Sequence, residues 1–244
     1  MSLRLLAINP NTSATVTETV LAAARAAAPP GVTIEGVTGR FGARIVTTEA
    51  EHVIAAHSAL DLAAHHAAGY DGVLLAISFD SGLAALRASL PVPVAGLTGS
   101  ACAAALAGGA KRPGAVILGE TTRAMYHALF AGYGAALAAV EVVELDSVDA
   151  YMDPAARSDA VAAAVTRLAE AGADAAVLCG AAVMGMAARL APAAAIPLHD
   201  GTAAVTACLQ DIAAGTPPAP RQAGLGEITG LPAPLAALIR GRPD

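Results

Sequence analysis

The sequence predicts an α/β protein of two pseudo-symmetric domains, each a short, mainly parallel sheet flanked by helices, with an active-site cleft between them. Three observations carry this prediction. Short apolar runs alternate with longer alanine-rich segments, the pattern of strand and crossover helix. With 56% hydrophobic but only 3% aromatic residues in 244, the core is built from Ala, Val, Leu and Ile rather than from rings. The chain also repeats itself. "YDGVLLAISFDSGLAAL" (70–86) lies on "ADAAVLCGAAVMGMAAR" (173–189) without a gap, matching Asp71 with Asp174, Leu75 with Leu178 and Gly82 with Gly185.

The elements follow in chain order. "LRLLAIN" (3–9) is the first strand, and Asn9-Pro-Asn-Thr-Ser13 closes it with a stiff turn whose Thr12 or Ser13 can cap a helix over 13–28. "VTIEGVT" (32–38) and a helix over 48–68 come next. "GVLLAI" (72–77) is a strand with no polar residue, so both faces are buried, and it leads through Ser78-Phe79-Asp80-Ser81 into a helix over 82–89. "VPVAGL" (92–97) and a small-residue helix over 100–109 complete the first series. The second series runs "GAVILG" (114–119), helix 121–133, "VEVVEL" (140–145), helix 155–171, "AAVLCG" (175–180), helix 185–191, "IPLHD" (196–200) and helix 202–214. At a similar offset "LLAINPNTSATV" faces "VILGETTRAMYH", and "PVPVAGL" faces "AIPLHDG". The domains expected are 1–97 plus 202–244, and 98–201.

Composition excludes several classes. A net charge of −6, a pI near 5.4 and 14% charged residues leave no basic surface for a nucleic acid. The uncharged stretch between Arg87 and Lys111 is broken by Pro91, Pro93, Gly96, Gly99, Gly108 and Gly109, so it reads as strand, turn and helix rather than a membrane span. Cys102, Cys179 and Cys208 are an odd set without paired spacing, which suits a reducing compartment. With no leader sequence evident, the expected location is the cytoplasm. His52, His57, His65 and His66 lack metal-ligand spacing, and no phosphate loop or dinucleotide fingerprint occurs. No metal is expected.

Ligands of open α/β sheets bind beyond the carboxyl ends of the strands, so the strand-end loops supply the candidate site. Ser78, Phe79, Asp80 and Ser81 form one lip. Asn11 and Thr12 bring polar groups and helix-start amides from the first strand's turn. Thr121 does so from the opposite half; Thr48, Thr98 and His199 are further candidate contacts. Cys179 and Gly180 end the strand that repeats the Ser78 region, which makes Cys179 a candidate acid or base.

Taken together, "LLAINPNTSATVTETV", "VLLAISFDSGLAALR", "VILGETTRAM", "AAVLCGAAVMGMAARL" and "IPLHDG" resemble the aspartate/glutamate/hydantoin racemase superfamily, most closely its hydantoin and allantoin racemase branch, over residues 3 to 212. The resemblance implies an interdomain active site and cofactor-independent chemistry, in which one cysteine from each half moves a proton on either face of an acidic carbon. This chain departs from that pattern. Each family cysteine lies five residues before a glycine, and counting back from Gly82 and Gly185 gives Ile77 and Gly180. If the first loop is one residue shorter, Ser78 takes the cysteine's place, while Cys179 sits one position early. A one-residue shift on a strand turns a side chain to the other face. A serine hydroxyl is also a far weaker acid than a thiol near pKa 8.5, so Ser78 needs a base beside it, for which Asp80 is nearest in sequence.

The function expected is racemisation or isomerisation of a hydantoin-like cyclic amide or amino-acid-like acid, with Cys179, Ser78 and Asp80 handling the proton and a homo-oligomer acting on a small molecule. The same cleft also admits decarboxylation like that of arylmalonate decarboxylase, cyclic-amide hydrolysis through Ser78 and Asp80, or ligand binding without turnover.

Overall fold

Strand parity sorts the side chains of the central strands into separate cores. In β1 (Leu3–Asn9), Leu6 and Ile8 enter one buried cluster, whereas Leu5 and Ala7 enter another on the opposite face. β3 (Gly72–Leu75) repeats this with Val73 and Leu75 against Leu74. β5 (Pro113–Leu118) sends Ala115 and Ile117 to the first cluster and Val116 and Leu118 to a third. This is the period of two that a strand imposes, with both faces covered as in a parallel sheet.

The computed structural model describes residues 3–144, 154–217 and 228–240. It contains two four-stranded parallel sheets, ordered β2-β1-β3-β4 and β6-β5-β7-β8. The first uses β1, β2 (Val32–Thr38), β3 and β4 (Val94–Gly96); the second uses β5, β6 (Val140–Val143), β7 (Ala175–Leu178) and β8 (Leu198–His199). Identical strand order in the two sheets is the structural form of the internal repeat. Its anchors are equivalent too: Asp71 accepts a hydrogen bond from the Arg4 amide at 2.8 Å, and Asp174 accepts from the Lys111 and Arg112 amides at 2.7 and 3.0 Å.

The helices are α1 (Ala14–Ala27), α2 (Glu49–His66), α3 (Leu83–Ser89), α4 (Leu97–Ala107), α5 (Arg123–Gly132), α6 (Pro154–Glu170), α7 (Met186–Leu190), α8 (Ala203–Ala214) and α9 (Ala233–Arg240). Several limits differ from the sequence reading. β3 stops at Leu75, because the chain turns immediately to make the Ser78 lip. α4 begins at Leu97, directly on β4, with Gly96 as its N-cap. A 3-10 turn over Glu120–Thr122 precedes α5, and α9 was not expected. Leu145, the expected end of β6, lies outside the described residues.

The first cluster joins the two sheets. Leu75, Ile77 and Phe79 share it with Ile117, Phe130 and Val177 from the other half. α8 packs on β3 and β4, while α4 contacts β4, β7, β8 and α8 and so touches both sheets. No helix among the described residues is long and apolar enough to cross a membrane.

Candidate active site

The two repeats meet at their strand-end loops. Ser78 and Ala181 are equivalent in the repeat, and the Ala181 amide donates a hydrogen bond to Ser78 Oγ at 3.1 Å. A Cβ built on Gly180 would stand 3.8 Å from the same oxygen. The position counted back from Gly185 therefore faces Ser78 and carries no side chain. Gly180 has φ 138° and ψ 135°, a backbone state that residues with a Cβ avoid, so the loop shape itself is matched to glycine.

Cys179, a candidate acid or base, does not face this contact. It continues the parity of Ala175 and Val177 into the shared core, is 1% exposed, and directs its thiol to the Val177 carbonyl at 3.6 Å. Burial, with Asp80 and Cys102 nearby, pushes that thiol well above its ordinary range. A thiolate is correspondingly disfavoured there.

The Ser78 lip is strapped from three sides. Thr98 Oγ1 in the first turn of α4 donates to the Ser78 carbonyl at 2.5 Å. Ser81, fully buried, pairs its Oγ with His52 Nδ1 on α2 at 2.9 Å. Asp80 has φ 49°, the only left-handed non-glycine among the described residues. Its Oδ2 accepts from the Gly99 amide at 2.7 Å and from the Tyr133 hydroxyl at 2.5 Å, while Oδ1 is buried with no partner. Burial raises this carboxyl to about 6 even though the hydrogen bonds from Tyr133 and the α4 amides pull it down. Phe79 turns into the shared core and packs its ring, tilted by 39°, against Tyr126, with centroids 4.6 Å apart.

The "NPNTS" turn is built by its asparagines. Asn9 is fully buried and its Nδ2 reaches Asn11 Oδ1, the Ser13 carbonyl and Thr17 Oγ1. Asn11 Oδ1 also accepts from the Ser13 amide, whereas its Nδ2 meets no acceptor among the described residues. Thr12 is held by its amide on the Ala43 carbonyl at 3.0 Å, and Ser13 caps α1.

The remaining candidates are placed differently. Thr48 is the N-cap of α2 in a capping box with Glu51, so its hydroxyl already accepts a helix amide. Thr121 is exposed in the 3-10 turn, and half-buried His199 lies in β8 with its protonation disfavoured by burial. No hydrogen bond links Thr48, Thr121 or His199 to Ser78. Tyr133, His52, Gly96 and Gly99 were not anticipated. The glycines of "AGLTG" were the available signal, since a Cβ on Gly96 would meet Asp80 Oδ1 at 2.4 Å and one on Gly99 would meet Tyr133 Oη at 3.0 Å. Among the described residues no group of three or more His, Cys, Asp and Glu side chains is arranged to hold a metal ion.

Comparisons with known proteins agree with this architecture. The family model described as Asp/Glu/Hydantoin racemase matches residues 5–209. The solved allantoin racemase from Klebsiella pneumoniae is 30% identical, with 93% of this chain and 97% of that one covered at a TM-score of 0.82. The allantoin racemase from Pseudomonas fluorescens is 27% identical, covering 93% and 100%, at 0.83. Arylmalonate decarboxylase, 16% identical over 87% of this chain and 94% of that one at 0.57, shares the fold. No curated protein sequence gives a significant match.

Proposed function

Because the chain belongs to the Asp/Glu/hydantoin racemase family, we propose that it is a racemase-type isomerase moving a proton at the acidic carbon of a small cyclic amide or amino-acid-like acid, without metal or organic cofactor. The observation that carries this reading is the meeting of Ser78 with Gly180 and Ala181, equivalent loops of two halves, at the carboxyl ends of both sheets. Ser78 is the lip's contact with substrate. Asp80 is its proton store, since a carboxyl near 6 exchanges protons at neutral pH where a hydroxyl does not. Asn11 Nδ2 supplies a donor for a carbonyl oxygen as it gains enolate charge.

A proton-transferring thiol on each face is not part of this mechanism. Gly180 has no side chain and Cys179 points into the core. Solvent then returns the proton on the Gly180 face. The division into 1–97 plus 202–244 and 98–201 belongs to the same reading and is supported by the packing of α8 on β3 and β4. So do a cytoplasmic setting, supported by three free buried cysteines, and a homo-oligomer, supported by exposed Val53 and Ile54 on α2.

The missing side chain at Gly180 favours a second reading, in which proton delivery from one side completes a decarboxylation, or Ser78 and Asp80 open a cyclic amide with water. A screen of hydantoins, allantoin, amino acids and substituted malonates separates them by chirality and product mass. Inversion at unchanged mass, abolished in Ser78→Ala, supports the isomerase. Loss of carbon dioxide or gain of water replaces it, and thermal stabilisation without turnover means a binding protein.

A further inference from the structure

The lip of the first half is completed by a side chain of the second. Tyr133 follows α5, and its hydroxyl crosses to Asp80 Oδ2 at 2.5 Å. The space for this pair is made by absent side chains: Gly96 and Gly99 bracket the carboxylate and the phenol in the first turn of α4, where a Cβ at Gly96 would collide with Asp80 and one at Gly99 would crowd both groups at 3.0–3.1 Å. Asp80 meanwhile holds a left-handed φ and a buried, unpartnered Oδ1. Strain and an unsatisfied polar atom both cost stability, and a structure retains them where the surroundings over-determine the geometry.

We propose that Tyr133 is a positioning residue for the reaction: from the second half it fixes the Asp80 carboxylate, and through it the Ser78 backbone, at the contact between the halves. The proposal rests on the isomerase reading only in assigning Asp80 the proton. The coupling itself is a property of the folded protein. Ring and hydroxyl do separate work. The phenol ring fills space beside Gly99, while the O–H donates to a carboxylate that the α4 amides alone would leave under-bonded.

The charged and titratable neighbours of Asp80 are Tyr133 after α5, Arg87 on α3, Cys179 after β7 and, through it, Cys102 on α4. Of these, Tyr133 hydrogen-bonds the carboxylate directly, beside the Gly99 amide, and favours its ionised form against the opposing effect of burial. Tyr133 in turn is held protonated by burial and by Asp80, so it remains a donor throughout the working range.

The test is Tyr133→Phe, which keeps the ring. Denaturant unfolding of the substrate-free protein from pH 4.5 to 8 reads the Asp80 midpoint by linkage. In Tyr133→Phe this midpoint moves up by roughly one pH unit, and in Asp80→Asn the transition disappears. For the active enzyme, the acid limb of kcat shifts by the same amount, a loss of about three- to tenfold at pH 6 that recovers by pH 8 with KM little changed. If Tyr133→Phe does not fold, 3,5-difluorotyrosine in place of Tyr133 keeps the ring and donates more strongly, so the midpoint moves down. An unmoved midpoint in either variant overturns the coupling, whatever the change in overall stability. A moved midpoint with an unmoved kcat profile keeps the coupling and removes Asp80 from the reaction.

Discussion

At the scale of single residues, the site turns on two buried titratable groups that behave differently. Asp80 is raised from an ordinary 3.8 to about 6 by burial. The folded state therefore binds more protons than the unfolded chain between those values. The associated stability is present below about pH 4 and is lost as pH rises through 6, about 3 kcal/mol in total. Asp80→Asn is expected to remove that slope, which denaturant midpoints at pH 4.5 and 7.5 in both proteins will check. Cys179 is the contrasting case. A thiol 1% exposed and packed with Val177 is a core side chain, so Cys179→Ala should lower stability by about 1–2 kcal/mol and leave kcat/KM within about twofold. Loss of turnover at unchanged stability would return Cys179 to the chemistry. The sequence shows that Cys179 is one position away from the family's place, and strand parity turns that single step into the opposite face. It does not show that Ser78 Oγ would meet the Ala181 amide, because that contact needs both halves assembled.

Elements were legible where their signal is local. The apolar runs and the repeat give the strands and their shared order, since each depends on a few adjacent side chains and on a match between Asp71 and Asp174 that the backbone itself uses. Element ends were less legible because tertiary contacts set them. β3 ends early under the pull of the lip, and α4 starts at Leu97 because its first amides are satisfied from another segment, by Asp80 rather than by a local cap. This makes α4 sensitive at its first turn. Gly96 has φ −90°, which alanine tolerates, but a Cβ there would lie 2.4 Å from Asp80 Oδ1. Gly96→Ala is thus expected to cost about 2 kcal/mol or more through overpacking alone. Gly132→Ala, at the end of α5 where a Cβ meets nothing within 4 Å, should be neutral or stabilising by up to about 1 kcal/mol. Thermal melts of the two variants decide whether the α4 slot is as tight as its geometry implies.

For the whole molecule, the question is whether two similar halves are also two folding units. Their sheets are separate, yet the cluster holding Leu75, Ile77 and Phe79 also holds Ile117, Phe130 and Val177, so neither half keeps its core when the other opens. Ser78 on Ala181 and Tyr133 on Asp80 add polar contacts across the same seam. A site formed where the two halves meet needs such rigidity, since a small relative shift would separate Ser78 from the Gly180 loop. Unfolding should accordingly be a single transition, with amide exchange in β1 and β5 reporting the same opening free energy. Phe130 is fully buried within the shared cluster, so Phe130→Ala should cost about 3–5 kcal/mol and lower protection in both sheets equally. If protection falls only in β5 and its neighbours, the halves fold independently. The seam would then be a docking contact rather than a core, and closure of the cleft an equilibrium that substrate shifts.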